Sequence, residues 1–485
     1  MIEPTSPVAR QPADMLGEQP PVRVEPDARA RIRAAHATSG RRIAVLDDDP
    51  TGSQTVHDVA VVTALEPKEF AAGLATPGST CFILTNTRSL PEDQAVQLNT
   101  TVGRALLELG AELNAPIELV SRSDSTLRGH FTAEMRALDA VHHDLTGHRY
   151  DGVLFAPAYL EAGRFTAGDT HWARVGDQLL PVGDTEFAHD ATFGYTSSNL
   201  RDFVAEKSCG AIRAVDVHSI GLADIRLGGP TRVADILTGM RRGAFVVVNA
   251  TDYADLEVVV LGLLQAEDLG RSFLCRTGPS FVRALAGLEP KAPLTPAEIW
   301  PTSSPGGHGL VVVGSHVGLT SRQVQMARSR GGLTEVELDV GTLLDPLTRN
   351  GHVEEVTSRI IAALADSEVL LYTSRTLVRG ADATGSLEIA RTVSSAVVEV
   401  VRGARRGKPA WVVAKGGITS HDVAVHGLGI RRAEIVGQLL PGLVSVFRPV
   451  QAPTEVVGVP YVVFAGNVGD DTTLAYVIDL LRGRA

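Results

Sequence analysis

The chain is a succession of short apolar, β-branched runs, each followed by a polar–apolar stretch of helical length. The runs fall at 42–47 (RIAVLD), 59–63, 80–85, 116–121, 152–156, 211–217, 244–249 and 272–275, then at 309–314, 333–338, 368–373, 410–414 and 460–464. Helical spacing of apolar positions fills 91–110, 128–143, 198–207, 231–240, 252–269, 318–330, 350–366, 385–405 and 470–482. Near-continuous hydrophobic strands alternating with helices predict βαβ units, an α/β protein with largely parallel sheets flanked by helices. The alternation lapses over 157–200, which is weakly periodic and rich in glycine. So long an irregular stretch is more often functional than neutral.

Proline marks the boundary between domains. Residues 286–308 carry Pro290, Pro293, Pro296, Pro301 and Pro305 with Ser303, Ser304, Gly306 and Gly307, the composition of an extended connection. At 485 residues the chain exceeds one ordinary core. The expected layout is a loose tail over 1–38, a first domain over 39–285, a linker over 286–308 and a second domain over 309–485.

Composition narrows the function classes. The formal net charge of −11 argues against a nucleic-acid partner, although local arginines can still hold an anionic metabolite. No apolar run approaches the ~18 residues of a membrane span, so no membrane partner is expected. The first 38 residues lack the apolar core of a secretory signal. Cys81, Cys209 and Cys275 have neither metal-ligand nor disulfide spacing, which suits a reducing, cytoplasmic setting. Acidic α/β enzymes are often homodimers, though no segment here declares an interface.

Candidate chemistry collects where strands end, the place where open α/β sheets bind ligands. The 116–121 run leads into Arg122-Ser123-Asp124-Ser125-Thr126-Leu127-Arg128. Two readings fit: arginine forks on a carboxylate with an aspartate on a hydroxyl, or a capped helix start with Arg128 in solvent. The first strand ends in Asp47-Asp48-Asp49, which repel one another unless a cation, a hydroxyl ligand or a helix N-terminus relieves them. The 80–85 run ends at Asn86-Thr87-Arg88. Three strands delivering polar residues at their carboxyl ends weigh more than any one. In the irregular segment Arg164 and His171 alternate with glycines, and a lone histidine is more often packed than catalytic.

The second domain has glycine-rich strand ends of its own: Gly314-Ser315-His316, Lys415-Gly416-Gly417-Ile418-Thr419 and Gly466-Asn467-Val468-Gly469-Asp470-Asp471. Glycine lets the backbone approach a phosphate, and amides at a helix start favour anions, so a nucleotide site is the expectation. Asp470 and Asp471 fit an N-cap or magnesium ligation equally well. There is no Walker A loop and no G-x-G-x-x-G fingerprint.

Taken in order, LDDDPTGS, FILTNTRSL, SRSDSTLRGHF, GRFTAGDTHW, TEFAHDATFGYTSSNL, RTGPSFVRALAG, VVVGS, WVVAKGGITSHDVA and FAGNVGDD resemble the four-carbon acid sugar kinase family over nearly the whole chain after residue 38. The resemblance implies an N-terminal domain for an acid such as threonate, erythronate or an oxo-tetronate. It also implies a C-terminal domain for ATP with Mg2+, and phosphoryl transfer in an interdomain cleft. Carried over, Asp47, Asp48, Arg88, Arg122, Asp124, Ser125 and Arg128 are substrate residues, and the irregular segment adds Arg164 as a candidate. Ser315, Gly416, Gly417, Gly466, Asn467 and Gly469 touch the nucleotide, with Thr419 in the same glycine-rich turn a further candidate. Asp124, Asp48 and Lys415 are the candidates for catalysis, with Asp124 first as general base and Lys415 opposing phosphate charge.

Three departures from the family pattern stand out: Arg122-Ser123 in place of lysine and an apolar residue, His130 in place of asparagine, and Ile418 in place of a carboxylate. A non-catalytic nucleotide and metabolite regulator on the same fold is the competing reading, and Ile418 is its support. A dehydrogenase or aldolase on a similar frame is the third, disfavoured by the missing dinucleotide fingerprint.

Overall fold

A computed structural model describes residues 11–49, 51–300, 306–314, 317–375, 378, 382–466 and 468–483. The chain divides into two units, residues 1–56 with 65–290, and residues 57–64 with 291–485.

The sheet of the first unit runs Thr80–Leu84, Arg42–Asp47, Ile117–Arg122, Phe273–Thr277, Gly152–Ala156, Ala244–Val248, His218–Ile220, every neighbouring pair parallel. These strands are buried on both faces, with Val45, Ile83, Val120, Leu154 and Val246 all inaccessible, which is why their sequences are almost continuously apolar. Chain order reverses at Arg42–Asp47, whose sequence neighbours in the sheet lie on opposite sides of it. The crevice at such a reversal is where open α/β sheets take ligands. Register pairs Asp47 with Arg122 across it.

The irregular segment forms a second sheet of three short antiparallel strands, Arg164–Ala167, Thr170–Val175 and Gln178–Pro181. Left-handed residues Gly168 (φ 59°), Asp169 (φ 60°) and Gly176 (φ 60°) make its turns, and strands this short carry little periodicity. Phe165, Trp172 and Leu179 pack in a small core with Met15 and Leu222.

In the second unit five parallel strands, Leu333–Leu338, Glu368–Thr373, Leu310–Val313, Val412–Lys415 and Tyr461–Phe464, continue into antiparallel Val444–Gln451, Arg432–Leu440 and Val59–Val62. Its core gathers Val311, Leu370, Trp411, Val413, Val446, Val462 and Leu474.

Four expectations change. The 1–38 tail is not loose throughout: Ala28–Ser39 is a helix that buries Ile32 and His36, four residues apart, and its Arg29 pairs with Glu257 at 2.6 Å. The 286–308 linker is shorter than its prolines suggest, because Leu294 and Ile299 enter the second unit's core and Thr295 with Glu298 builds a capping box over Pro296–Ile299. Strand 59–63 belongs to the second unit. The run 211–217 turns through a short 3-10 segment, Ala214–Asp216, before the three-residue strand His218–Ile220. Among the described residues no helix is long and apolar enough to cross a membrane.

Candidate functional site

The carboxyl ends of the first unit's central strands converge on a buried charge network. Arg122 Nη1 donates to Asp47 Oδ1 at 2.9 Å. Arg88 forks onto Asp48, at 2.6 Å to Oδ1 and 3.2 Å to Oδ2, and reaches Asp49 Oδ2 at 3.0 Å. The repulsion expected within Asp47-Asp48-Asp49 is relieved by arginines from two neighbouring strand ends, not by a cap alone. Burial pushes the Asp47 carboxyl up to about 7, more than Arg122 pulls it down. Burial also raises Asp48, with Arg88 opposing. At Asp49 burial is outweighed by Arg88 and Arg122, and its pKa falls. Gly52 seals the pair: a Cβ there would lie 2.1 Å from Asp47 Oδ2 and 2.3 Å from Arg122 Nη1.

The loop after Ile117–Arg122 is held by the small antiparallel sheet and the segment after it. His171 Nε2 lies 2.8 Å from the Ser125 carbonyl and must donate to it, so Nδ1 accepts from Thr166 Oγ1 at 2.9 Å. Burial lowers that imidazole to about 4. His171 is thus a packed, neutral strut. Tyr195 Oη donates to the Thr126 carbonyl at 2.7 Å, and Leu127 sits at φ 67°. A leucine held in left-handed backbone marks a loop whose shape its surroundings dictate.

Two arginines border this loop differently from Arg88 and Arg122. Arg128 Nε donates to Asp124 Oδ2 at 2.6 Å, and its Nη1 is 3.7 Å from Asp190. Arg164 Nη1 donates to Ser125 Oγ at 2.7 Å, and it makes no ion pair among the described residues. Both guanidiniums lie 5.2 Å from the Phe187 ring centroid. Burial lowers the Arg164 pKa, with the field of Asp124 opposing. At Asp124 burial is overcome by Arg88 and then Arg128, which hold the carboxyl well below the usual carboxylate range. The structure therefore brings Asp47, Asp48, Arg88, Arg122, Asp124, Ser125, Arg128 and Arg164 into one network. Arg122, 5 % exposed and turned to Asp47, is less able to meet a ligand than Arg128.

Sequence reasoning missed Phe187, Asp190 and the buried Arg276–Glu134 pair, whose Arg276 also donates to Ser121 Oγ at 2.6 Å. Arg276 stands at the end of Phe273–Thr277, and the rule that found Arg88 and Arg122 could have found it. Phe187 and Asp190 lie in aperiodic sequence that carries no such signal.

In the second unit, Gly416 takes φ 121° and Gly417 opens a short helix, Gly417–Asp422, with nothing within 4 Å of where its Cβ would stand. Thr419 packs its hydroxyl against Gly314. Lys415 is fully buried: Nζ donates to the carbonyls of Ala465 at 2.7 Å and Gly466 at 3.2 Å, and burial lowers it to about 7. Thr320 Oγ1 also donates to the Gly466 carbonyl, and Gln323 Nε2 to those of Val468 and Asp470. In this clamped turn Gly469 takes φ 80°, left-handed backbone that favours glycine. Asp470 caps Thr472 and Thr473, and Asp471 pairs with Arg322 at 2.8 Å. Both carboxylates hold protein partners, and as oxygen donors they are of the type magnesium takes. Ser315 and Asn467 lie outside the described residues.

The first unit's parallel sheet carries an arginine-rich cluster at its strand ends and the second unit's strands end in glycine turns, which defines a two-domain α/β protein. Comparison with known proteins agrees. A sugar-binding N-terminal domain model matches residues 43–285, and a nucleotide-binding C-terminal domain model matches 310–474. The chain belongs to the four-carbon acid sugar kinase family. It is similar to a D-erythronate kinase of Heliobacterium modesticaldum, 27% identical over 59% of this chain and 59% of that protein's length. It is also similar to a D-threonate kinase of Salmonella typhimurium, 26% identical over 69% of this chain and 72% of that one. Two solved structures share the fold at 18% identity. One is a Salmonella typhimurium LT2 protein under a provisional tRNA synthase label (TM-score 0.65, 90% of this chain and 98% of that one). The other is a Haemophilus influenzae protein of a domain-of-unknown-function family (TM-score 0.60, 89% and 98%).

Proposed function

We propose that the chain is an ATP-dependent kinase that phosphorylates a hydroxyl of a small sugar acid of the threonate, erythronate or oxo-tetronate class. The observation that carries this reading is the Arg128–Arg164 pair. Two guanidiniums border one aromatic ring, and among the described residues Arg164 has a hydroxyl and ring faces but no carboxylate for its partners. A desolvated cation so placed invites an anion, and a planar guanidinium suits a carboxylate. The kinase names of the two relatives support the reaction class.

In this reading Arg128 and Arg164 hold the acid, and Asp124 orients the hydroxyl that reacts. Its low basicity is no obstacle, because phosphoryl transfer through a loose transition state asks for positioning more than for proton abstraction. Asp48 and Asp47 position Arg88 and Arg122, whose charges keep the crevice from becoming net anionic. Lys415 acts on the main chain of the Gly466 turn, fixing it for the nucleotide held by Gly416, Gly417, Thr419, Gly466 and Gly469. Bound ATP, with magnesium on its phosphates, supplies the phosphoryl group. The test is ADP release by the purified chain with ATP, magnesium and a panel of four-carbon acids, each beside its neutral alditol. At least one acid should turn over and the alditols should not. Binding of acid and ATP without ADP release would establish the regulator instead, and equal turnover of alditols would refute the arginine grip.

A further inference from the structure

A histidine–carboxylate cluster lies in the second unit, in residues that the proposed chemistry does not use. His421, Asp422 and His426 each offer a ligand atom, and these atoms all lie within 4.8 Å of one another. It is the single such group among the described residues. Local backbone makes the cluster. After Gly417–Asp422 the helix widens into a π turn over Val423–Gly427, with Leu428 N–H donating to the Val423 carbonyl at 2.7 Å. Five residues per bond bring His426 back over His421, and their rings stand 6.3 Å apart at 82°. Such π turns cluster at functional sites.

The neighbouring helix Ala383–Ala404 fixes the arrangement from outside. Ser394 Oγ donates to Asp422 Oδ2, and Arg402 donates twice to the His426 carbonyl, at 3.2 and 3.0 Å. A carboxylate oriented by a hydroxyl is the outer support that metal ligands usually have. We propose that His421, Asp422 and His426 bind a divalent transition-metal ion of the zinc class, with a fourth position open to solvent. Two imidazoles and one carboxylate select such an ion over magnesium, which takes oxygen ligands. Ligands on a tetrahedral ion with ~2.0–2.1 Å bonds stand about 3.3 Å apart, so the site closes by a modest turn of His426, whose side chain is exposed. The ion would pin the short helix that follows Lys415-Gly416-Gly417.

The test is calorimetric titration of the metal-free full chain with Zn2+, with Mg2+ in parallel, on wild type, His426→Ala and His421→Ala/His426→Ala. Visible absorption of bound Co2+ gives an independent report of imidazole ligation. One equivalent of Zn2+ should bind wild type and raise its melting temperature. Affinity should fall at least about tenfold in His426→Ala, with the metal-free melting temperature unchanged. Zn2+ binding of equal affinity and stoichiometry in all three proteins, or no binding to wild type, would overturn the proposal.

Discussion

Replacing Arg164 by methionine separates a ligand-binding arginine from a structural one. The substitution removes one charged hydrogen bond, to Ser125 Oγ at 2.7 Å, and the ring contacts to Phe187 and Tyr159 at 5.2 and 5.9 Å. It also removes a cation that burial disfavours, so the losses and the relief nearly cancel. Net stability should change by less than about 1 kcal/mol, a shift of only ~2–4 °C in melting temperature. The substrate side has no such offset. A buried charged pair with a carboxylate, lost from one partner, costs about 2–4 kcal/mol, a ~30- to ~1,000-fold fall in kcat/KM. A carboxylate far from the reacting hydroxyl is held equally in ground and transition states, so the loss should appear chiefly as raised KM. Coupled measurement of ADP release against acid concentration, with thermal melts of both proteins, checks this. A variant within threefold of wild type in kcat/KM, or one whose activity falls only as its melting temperature collapses, would rule out Arg164 as a substrate ligand.

Gly52→Ala should destabilise the first unit by about 1–3 kcal/mol in urea unfolding, because its Cβ would stand 2.1 Å from Asp47 Oδ2 inside a sealed ion pair. Burial sets the Lys415 pKa near 7 in the folded chain, below its unfolded value, so folding is penalised at low pH and relieved as pH rises from 7 toward 10. Wild type should therefore gain on Lys415→Met by about 1 kcal/mol per pH unit across that window, measured by denaturant melts. His171, lowered by burial to about 4, contributes stability that is intact above its unfolded value and lost as pH falls toward 4. His171→Gln, which keeps a donor for the Ser125 carbonyl, should flatten that acid limb in melts between pH 7 and 4.

What was legible in the sequence was whatever a short segment decides by itself. Doubly buried strands announce themselves as apolar runs, and polar residues just beyond them at 47–49, 88 and 122–128 are brought together by parallel register, as the pairing of Asp47 with Arg122 illustrates. What a segment does not decide was lost. Val59–Val62 reads as one more strand, yet its partner is Arg432–Leu440, more than three hundred residues away in sequence. The hairpin Arg432–Leu440 with Val444–Gln451 was missed because its register shifts repeatedly, which breaks the alternation that marks a half-buried strand. The division of labour among arginines was equally non-local. Arg122 and Arg128 look alike in sequence, but one faces Asp47 under Gly52 and the other borders Phe187 with Arg164.

Transfer of a phosphoryl group to a sugar acid is observed directly by 31P NMR of the purified chain with ATP, magnesium and D-erythronate or D-threonate. A new phosphomonoester resonance should grow in step with ADP and depend on the acid. Inorganic phosphate alone beside ADP, or unchanged ATP with both ligands bound, would contradict it.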